Sequence, residues 1–184
     1  LSAGSLIKIK GFGLAIKAFS AFHQLNPNSS LTIVGSGPEG SRLHGLVKTL
    51  GLENSVHFQN WMPRNQLLLE MAKCHAFLFP SLRDGGGTVV VEAMAMGKPV
   101  VCLDNGGPGI HITEEYGIKV TPGSQVETVE GLRSALERLH QDEKLRITMG
   151  KAAKIRALEF YEWDKLGERL ASIYEKALVP GTRE

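Results

Sequence analysis

After the apolar run Ala76-Phe77-Leu78-Phe79 the chain reads Pro80-Ser81-Leu82-Arg83-Asp84-Gly85-Gly86-Gly87-Thr88, and then Val89-Val90-Val91-Glu92. Consecutive glycines cost chain entropy and give a core nothing, so the use for Gly85, Gly86 and Gly87 is close approach of backbone N–H groups to a ligand. A helix opening near Thr88 adds its partial positive charge, and the combination is an anion site suited to phosphate. Two carboxylates flank it. Asp84 lies in the loop, and Glu92 lies four residues beyond Thr88, roughly 6 Å along the helix axis. That separation suits the two ends of one nucleotide-sugar, with hydroxyls at each end and diphosphate between. The same spacing is met if Asp84 caps the turn and Glu92 is a solvated helix residue favoured by the dipole.

A second glycine-rich stretch, Gly35-Ser36-Gly37-Pro38-Glu39-Gly40, has the G-x-G-x-x-G form of dinucleotide-binding loops. It departs from that fingerprint in three ways. It follows the second strand of the chain, Pro38 removes a backbone donor, and the next strand ends in Gln59-Asn60 where an acid would hold a ribose. A tight strand-to-helix turn explains the glycines, and so does a glycine floor against another nucleotide. Gly35, Gly37 and Asn60 are therefore kept as substrate-binding candidates beside Glu92, Gly85, Gly86, Gly87 and Thr88. Trp61 and Phe58 bracket the same strand end, where a base could stack, although core and rim packing accounts for them as well.

The six histidines include no H-E-x-x-H and do not pair with cysteine at metal-ligand spacing, so no metal site is expected. His111 sits in a glycine-rich loop where it could reach a phosphate or a sugar, or could simply be solvated. Lys151, Lys154 and Arg156 form a basic helix face of the solvated kind.

These loops need elements to hold them. Leu31-Thr32-Ile33-Val34, Val56-His57-Phe58, Ala76 to Phe79, Val100-Val101-Cys102-Leu103 and Ile118-Lys119-Val120 are short apolar runs bounded by Gly, Pro or Asn, which is the strand signature. Between them run helical spacings: Phe12, Ile16, Phe19 and Phe22, then Leu43, Leu46, Val47 and Leu50, then Leu67, Leu68 and Met71. After the last strand Val126, Val129, Leu132, Leu136 and Leu139 make one stripe, opened by Ser124-Gln125-Val126-Glu127 at capping-box spacing. The tail from Glu143 to Leu178 is helical in pattern too. Counting Ser2 to Ile7, this is an α/β chain of about six strands, which right-handed crossovers turn into a Rossmann-like, doubly wound parallel sheet with helices on both faces. Ligands of such sheets bind beyond the carboxyl ends of the strands, where the glycine loops fall.

A length of 184 residues is the size of one domain. With 42% hydrophobic and 22% charged residues the chain buries an ordinary core, which excludes disordered, collagen-like and coiled-coil classes. Lys plus Arg is 21 against Asp plus Glu 19, a net charge of +2 that gives no field for gripping nucleic acid or a membrane surface. No apolar stretch approaches the roughly 20 residues of a membrane span. Leu1 to Ile7 lack the basic and apolar segments of a signal peptide and look like a strand cut from something longer. Cys74 and Cys102 cannot build a disulfide framework, so the reducing cytoplasm is the expected compartment.

The run Pro80-Ser81-x-x-Asp84-Gly85-x-Gly87-x-x-x-x-Glu92-Ala93-Met94-Ala95-x-Gly97-x-Pro99-Val100-Val101 resembles the signature of retaining glycosyltransferases of the group 1, or family 4, type. Gly4-x-Leu6 with Lys10-Gly11, Ile33-Val34-Gly35-x-Gly37-Pro38 and Asn105-Gly106-Gly107 extend the likeness over nearly the whole chain. The resemblance implies one half of a GT-B fold, the C-terminal, donor-binding half. It implies an E-x7-E pair kept here as Asp84 and Glu92, Asp84 facing the donor sugar and Glu92 the ribose, with Lys10 and the Gly85 to Thr88 amides on the diphosphate. Asp84 and Lys10 would be the catalytic residues. No cofactor and no obligatory metal follow from it.

The chain departs from the family pattern at three places. Ser5 stands where an arginine is usual, Asp84 is a methylene shorter than Glu, and Ile110 stands where a glutamate commonly follows the Gly-Gly loop. The expected function is the nucleotide-sugar-binding half of a hexosyltransferase, whose N-terminal acceptor domain is missing here and whose last helices, 163–184, would pack back on it. The isolated domain is expected to be inactive. The alternatives are a degenerate nucleotide-sugar-binding module without turnover, and another GT-B-fold enzyme such as a sugar epimerase.

Overall fold

The computed structural model describes residues 1–178. Six short strands alternate with helices: β1 (Ser2–Ala3), α1 (Phe12–Leu25), β2 (Leu31–Val34), α2 (Gly40–Thr49), β3 (Val56–Gln59), α3 (Arg64–Lys73), β4 (Phe77–Phe79), α4 (Thr88–Ala95), β5 (Val100–Leu103), α5 (Gly106–His111), β6 (Gly117–Val120), α6 (Gln125–Gln141), α7 (Glu143–Phe160) and α8 (Trp163–Leu178). All pairings are parallel and fall into two three-stranded sheets, β1-β2-β3 and β4-β5-β6. The sheets meet where β1 lies against β4, and there the Leu78 N–H donates to the Leu1 carbonyl at 2.8 Å. Across both sheets the spatial order is therefore 3-2-1-4-5-6, a Rossmann-like α/β fold whose strand order reverses between β1 and β4.

β2, β4 and β5 are legible as apolar runs because both of their faces are covered. Phe77 and Phe79 face one core with Val90, Ala93, Met94, Val100 and Cys102, while Leu78 faces the other with Val101, Leu103, Ala15, Leu132 and Leu139. Alternate residues of one strand thus serve opposite layers, as the two-residue period of a strand requires. Burying each of the Phe, Leu, Val and Met side chains among these contributes about 1.5–3 kcal/mol. Leu31, Ile33, Leu43, Val47 and Val56 close a third cluster under α1 and α2.

Two expectations need correction. The opening strand was expected over Ser2 to Ile7 but pairs only at Ser2–Ala3, since at Gly4 the chain leaves the sheet and by Lys8–Lys10 it has coiled into a 3-10 turn. The ladder fades gradually: the Gly4 N–H still reaches the Val34 carbonyl at 3.0 Å and the Leu6 N–H the Ser36 carbonyl at 2.9 Å. The glycine loop after β5 is a short helix, α5, in spite of its Gly-Gly-Pro-Gly sequence. The capping box opening α6 is present with both of its bonds, Glu127 N–H to Ser124 Oγ at 3.3 Å and Ser124 N–H to Glu127 Oε2 at 2.8 Å. The segment expected to be helical over 163–184 is α8, and its residues 179–184 lie outside the described residues.

Candidate functional site

The loops after β1 and β4 leave the sheet side by side at the point where strand order reverses, and they are laced together. The Leu82 N–H donates to the Ile9 carbonyl at 2.8 Å, and the Ser81 hydroxyl donates to the same oxygen at 3.3 Å. Gly11, with φ +68°, permits this approach: a Cβ there would lie 2.0 Å from the Pro80 carbonyl oxygen. The lacing brings Lys10 to Asp84 across 74 positions of sequence.

Lys10 Nζ makes an ion pair with Asp84 Oδ2, and both side chains are largely covered, at 21% and 14% exposure. The ammonium also lies 5.5 Å from the centre of the Phe79 ring. The other oxygen of the carboxylate, Oδ1, accepts from the Gly87 N–H at 2.7 Å and the Gly86 N–H at 3.2 Å. Burial pushes the Asp84 carboxyl upward, but the Lys10 bond and the Gly87 and Gly86 amides outweigh it and hold the group below the ordinary carboxylate range. α4 begins at Thr88 with Gly87 as its left-handed cap, so the carboxylate also sits at a positive helix end. The Gly86 and Gly87 amides thus converge on one anion, a carboxylate of their own loop. Gly85 is exposed on the loop's outer side, and Thr88 is the exposed first residue of α4.

Glu92 is not the solvated helix residue that its spacing also allowed. Its side chain is only 12% exposed, and Oε1 accepts from Arg64 Nε at 2.5 Å. Arg64 opens α3, so the pair ties the start of that helix to the middle of α4. Gly35 and Gly37 hold the loop after β2 against the backbone of the opening segment: added Cβ atoms would lie 1.9 Å from the Gly4 carbonyl oxygen and 2.6 Å from that of Leu6. The tight turn is therefore present. Asn60 is exposed at the same end of the sheet but follows β3, two strand widths or about 10 Å from β1. Beside it Phe58 stacks on His44 at 3.9 Å, while Trp61 stands 71% exposed.

Sequence reasoning missed Arg64 entirely and left His111 as either a ligand contact or a solvated residue. His111 is bonded on both ring nitrogens, to the Gly86 carbonyl and to the Tyr161 hydroxyl, each at 2.8 Å. No local signal marks these residues, because their partners lie 25 to 50 positions away. The departures Ser5 and Ile110 are both exposed, Ile110 at 81%. Among the described residues no helix is long and apolar enough to cross a membrane.

Comparison with known proteins adds the family. The family described as "Glycosyl transferases group 1" matches residues 1–156. The N-acetylgalactosamine-N,N'-diacetylbacillosaminyl-diphospho-undecaprenol 4-alpha-N-acetylgalactosaminyltransferase of Campylobacter jejuni is 33% identical over 162 residues, covering 87% of this chain and 42% of that protein. The crystal structure of Anabaena Alr3699/HepE in complex with UDP superposes with a TM-score of 0.82 at 26% identity, covering 95% of this chain and 48% of that one. The crystallised C-terminal domain of LpcC, a glycosyl transferase group 1 family protein of Francisella tularensis, has a TM-score of 0.77 over 88% of this chain and 85% of its own, and at 22% identity it speaks to the fold alone. The chain spans well under two thirds of the full-length relatives it matches.

Proposed function

The chain belongs to the glycosyl transferases of group 1, and from that premise we propose that it is the nucleotide-sugar-binding half of a retaining enzyme that moves a hexosyl group from a nucleoside diphosphate sugar to an acceptor. One observation carries the reading: the Lys10 ammonium and the Gly86 and Gly87 amides converge on a single carboxylate at the N-terminus of α4. Groups that hold a carboxylate in this way are the groups that hold a phosphate oxygen. That Alr3699/HepE was crystallised with UDP supports a nucleotide as the guest.

In this reading the chemistry is stabilisation of a leaving group. As the glycosidic bond breaks, charge collects on the departing diphosphate, and donors already aimed at it lower the barrier without reorganising. Each such contact is worth about 10² to 10³ in rate, roughly 3 to 4 kcal/mol. Lys10 and the Gly85 to Thr88 backbone supply those donors. Glu92, already bonded by Arg64, offers its second oxygen to a ribose hydroxyl, and Asp84, once displaced from the cradle, faces the donor sugar. Gly35, Gly37 and Asn60 complete the floor and edge of the nucleotide pocket. We assign the acceptor to a second, N-terminal domain of the full-length protein, and the chain alone is expected to bind nucleotide without transferring sugar. Two unpaired thiols suit a reducing compartment, and we place the protein in the cytoplasm.

Calorimetry of the chain against UDP, GDP and ADP and their sugars tests the site, with Lys10→Ala as control. Binding of one nucleotide that the alanine variant weakens at least about tenfold, 1.4 kcal/mol, is expected. No binding by any nucleotide, or equal binding by the two proteins, refutes the assignment. Ser5, exposed and uncharged where the family has arginine, favours a second reading as a binding module without turnover. Ser5→Arg in the full-length protein separates the two: a gain of about tenfold or more in transfer rate marks a damaged site, and an unchanged rate marks a site that works without that cation.

A further inference from the structure

We propose that His111 is a positioning residue whose imidazole fixes the Gly86–Gly87 peptide, so that the Gly87 N–H is held toward the anion; the inference rests on the donor-site reading above. In a trans peptide the carbonyl and the following N–H point in opposite directions. Whatever holds the Gly86 carbonyl outward therefore aims the Gly87 N–H inward, and that N–H makes the shorter of the two amide contacts to Asp84, 2.7 Å against 3.2 Å.

The holding group is His111, the last residue of α5, with Nε2 at 2.8 Å from the Gly86 oxygen. A carbonyl can only accept, so Nε2 carries the proton. In the neutral ring Nδ1 then accepts from the Tyr161 hydroxyl, also at 2.8 Å. Tyr161 directly follows α7 and meets the imidazole edge-on at 5.1 Å and 86°. The tautomer and the ring plane are thereby both set from an element outside the site.

The neighbouring carbonyls are held in the same sense. The Asp84 carbonyl accepts from the Gly107 N–H at 2.9 Å, and that of Gly87 accepts from the Val90 N–H at 2.8 Å. Of these three carbonyls, that of Gly86 has a side chain as its anchor. It lies between two residues with no side chains of their own, so the bond of the Gly87 N–H to Asp84 Oδ1 and the His111 bond share the task of resisting a flip of that peptide. α5 thus acts as a splint along the glycine loop, and His111 is its far pin.

The test uses whichever of UDP, GDP and ADP binds the wild-type chain most tightly, together with the matching nucleoside. His111→Gln, which keeps a donor, is expected to bind the diphosphate within about threefold of wild type, and His111→Leu, which keeps only bulk, to weaken it about ten- to thirtyfold. Nucleoside affinity, read by chemical-shift titration, should stay unchanged in both. Tyr161→Phe leaves the ring in place and removes the hydroxyl, and about threefold weakening of the diphosphate is expected, which keeps the test open should the leucine variant fold poorly. Diphosphate affinity equal to wild type in the Leu and Phe variants, or parallel loss of nucleoside and diphosphate, overturns the inference. A wild-type chain that binds none of the three nucleotides overturns the donor-site reading and this inference together.

Discussion

Asp84 combines two roles that a longer acid would keep apart. With one methylene its carboxylate folds back onto the amides two and three positions ahead, as aspartate does in turns, and from there it also meets Lys10. It therefore competes, like charge against like charge, for the place that a diphosphate needs. Asp84→Asn retains the amide contacts and loses the ion pair, so the variant should bind nucleoside diphosphate roughly tenfold more tightly by calorimetry, about 1.4 kcal/mol, while the full-length enzyme carrying it should transfer sugar more slowly. Faster or equal transfer would remove Asp84 from the reaction. The pair also has a signature in stability. Because the folded carboxyl sits below its ordinary value, the unfolded chain binds more protons in acid; the contribution is whole above about pH 4 and is lost as pH falls through the lower folded value. Unfolding midpoints measured across that window should fall for wild type and change less for Asp84→Asn.

At the level of elements, the site depends on two loops being laced, and Gly11 is where the lacing is tightest. Gly11→Ala places a Cβ on the Pro80 carbonyl at a left-handed φ, so it should cost at least about 2 kcal/mol in urea denaturation and weaken nucleotide binding as Lys10 moves from Asp84. Gly45, exposed within α2 and with open space where a Cβ would go, is the contrast: Gly45→Ala should stabilise by about 0.5–1 kcal/mol and leave binding unchanged. The same elements show what the sequence could tell. β2, β4 and β5 were legible to within a residue because burial on both faces leaves an uninterrupted apolar run. α5 was not, because Gly-Gly-Pro-Gly has almost no helical tendency, and what fixes it there is tertiary, through the Asp84 carbonyl and His111. The cradle glycines could be named from composition, whereas Arg64 and Tyr161 act on residues far along the chain and leave no local trace.

At the scale of the whole molecule, strand order places the site. β1 and β4 are neighbours from which the chain winds outward in opposite directions, and the loops that follow them meet at that switch point, where the Leu82–Ile9 bond and the Lys10–Asp84 ion pair join them. The far end of the chain is built differently. α8 has no buried residue, and it exposes Trp163, Leu170, Ile173, Tyr174 and Leu178. Among the described residues Arg169 ties it to the end of α7, donating to the Phe160 carbonyl at 2.8 Å and lying over the Phe160 ring. A helix of 16 residues without a packed face is marginal in water, so its amides should exchange with solvent within seconds while those of β4, β5 and α4, buried in the core, persist at least about 10³-fold longer. If the second domain that we assign to the full-length protein covers this stripe, exchange in α8 should slow at least about tenfold in the longer protein with the core rates unchanged. Equal exchange of α8 in both would leave the stripe uncovered and the proposed packing of the C-terminal helix wrong.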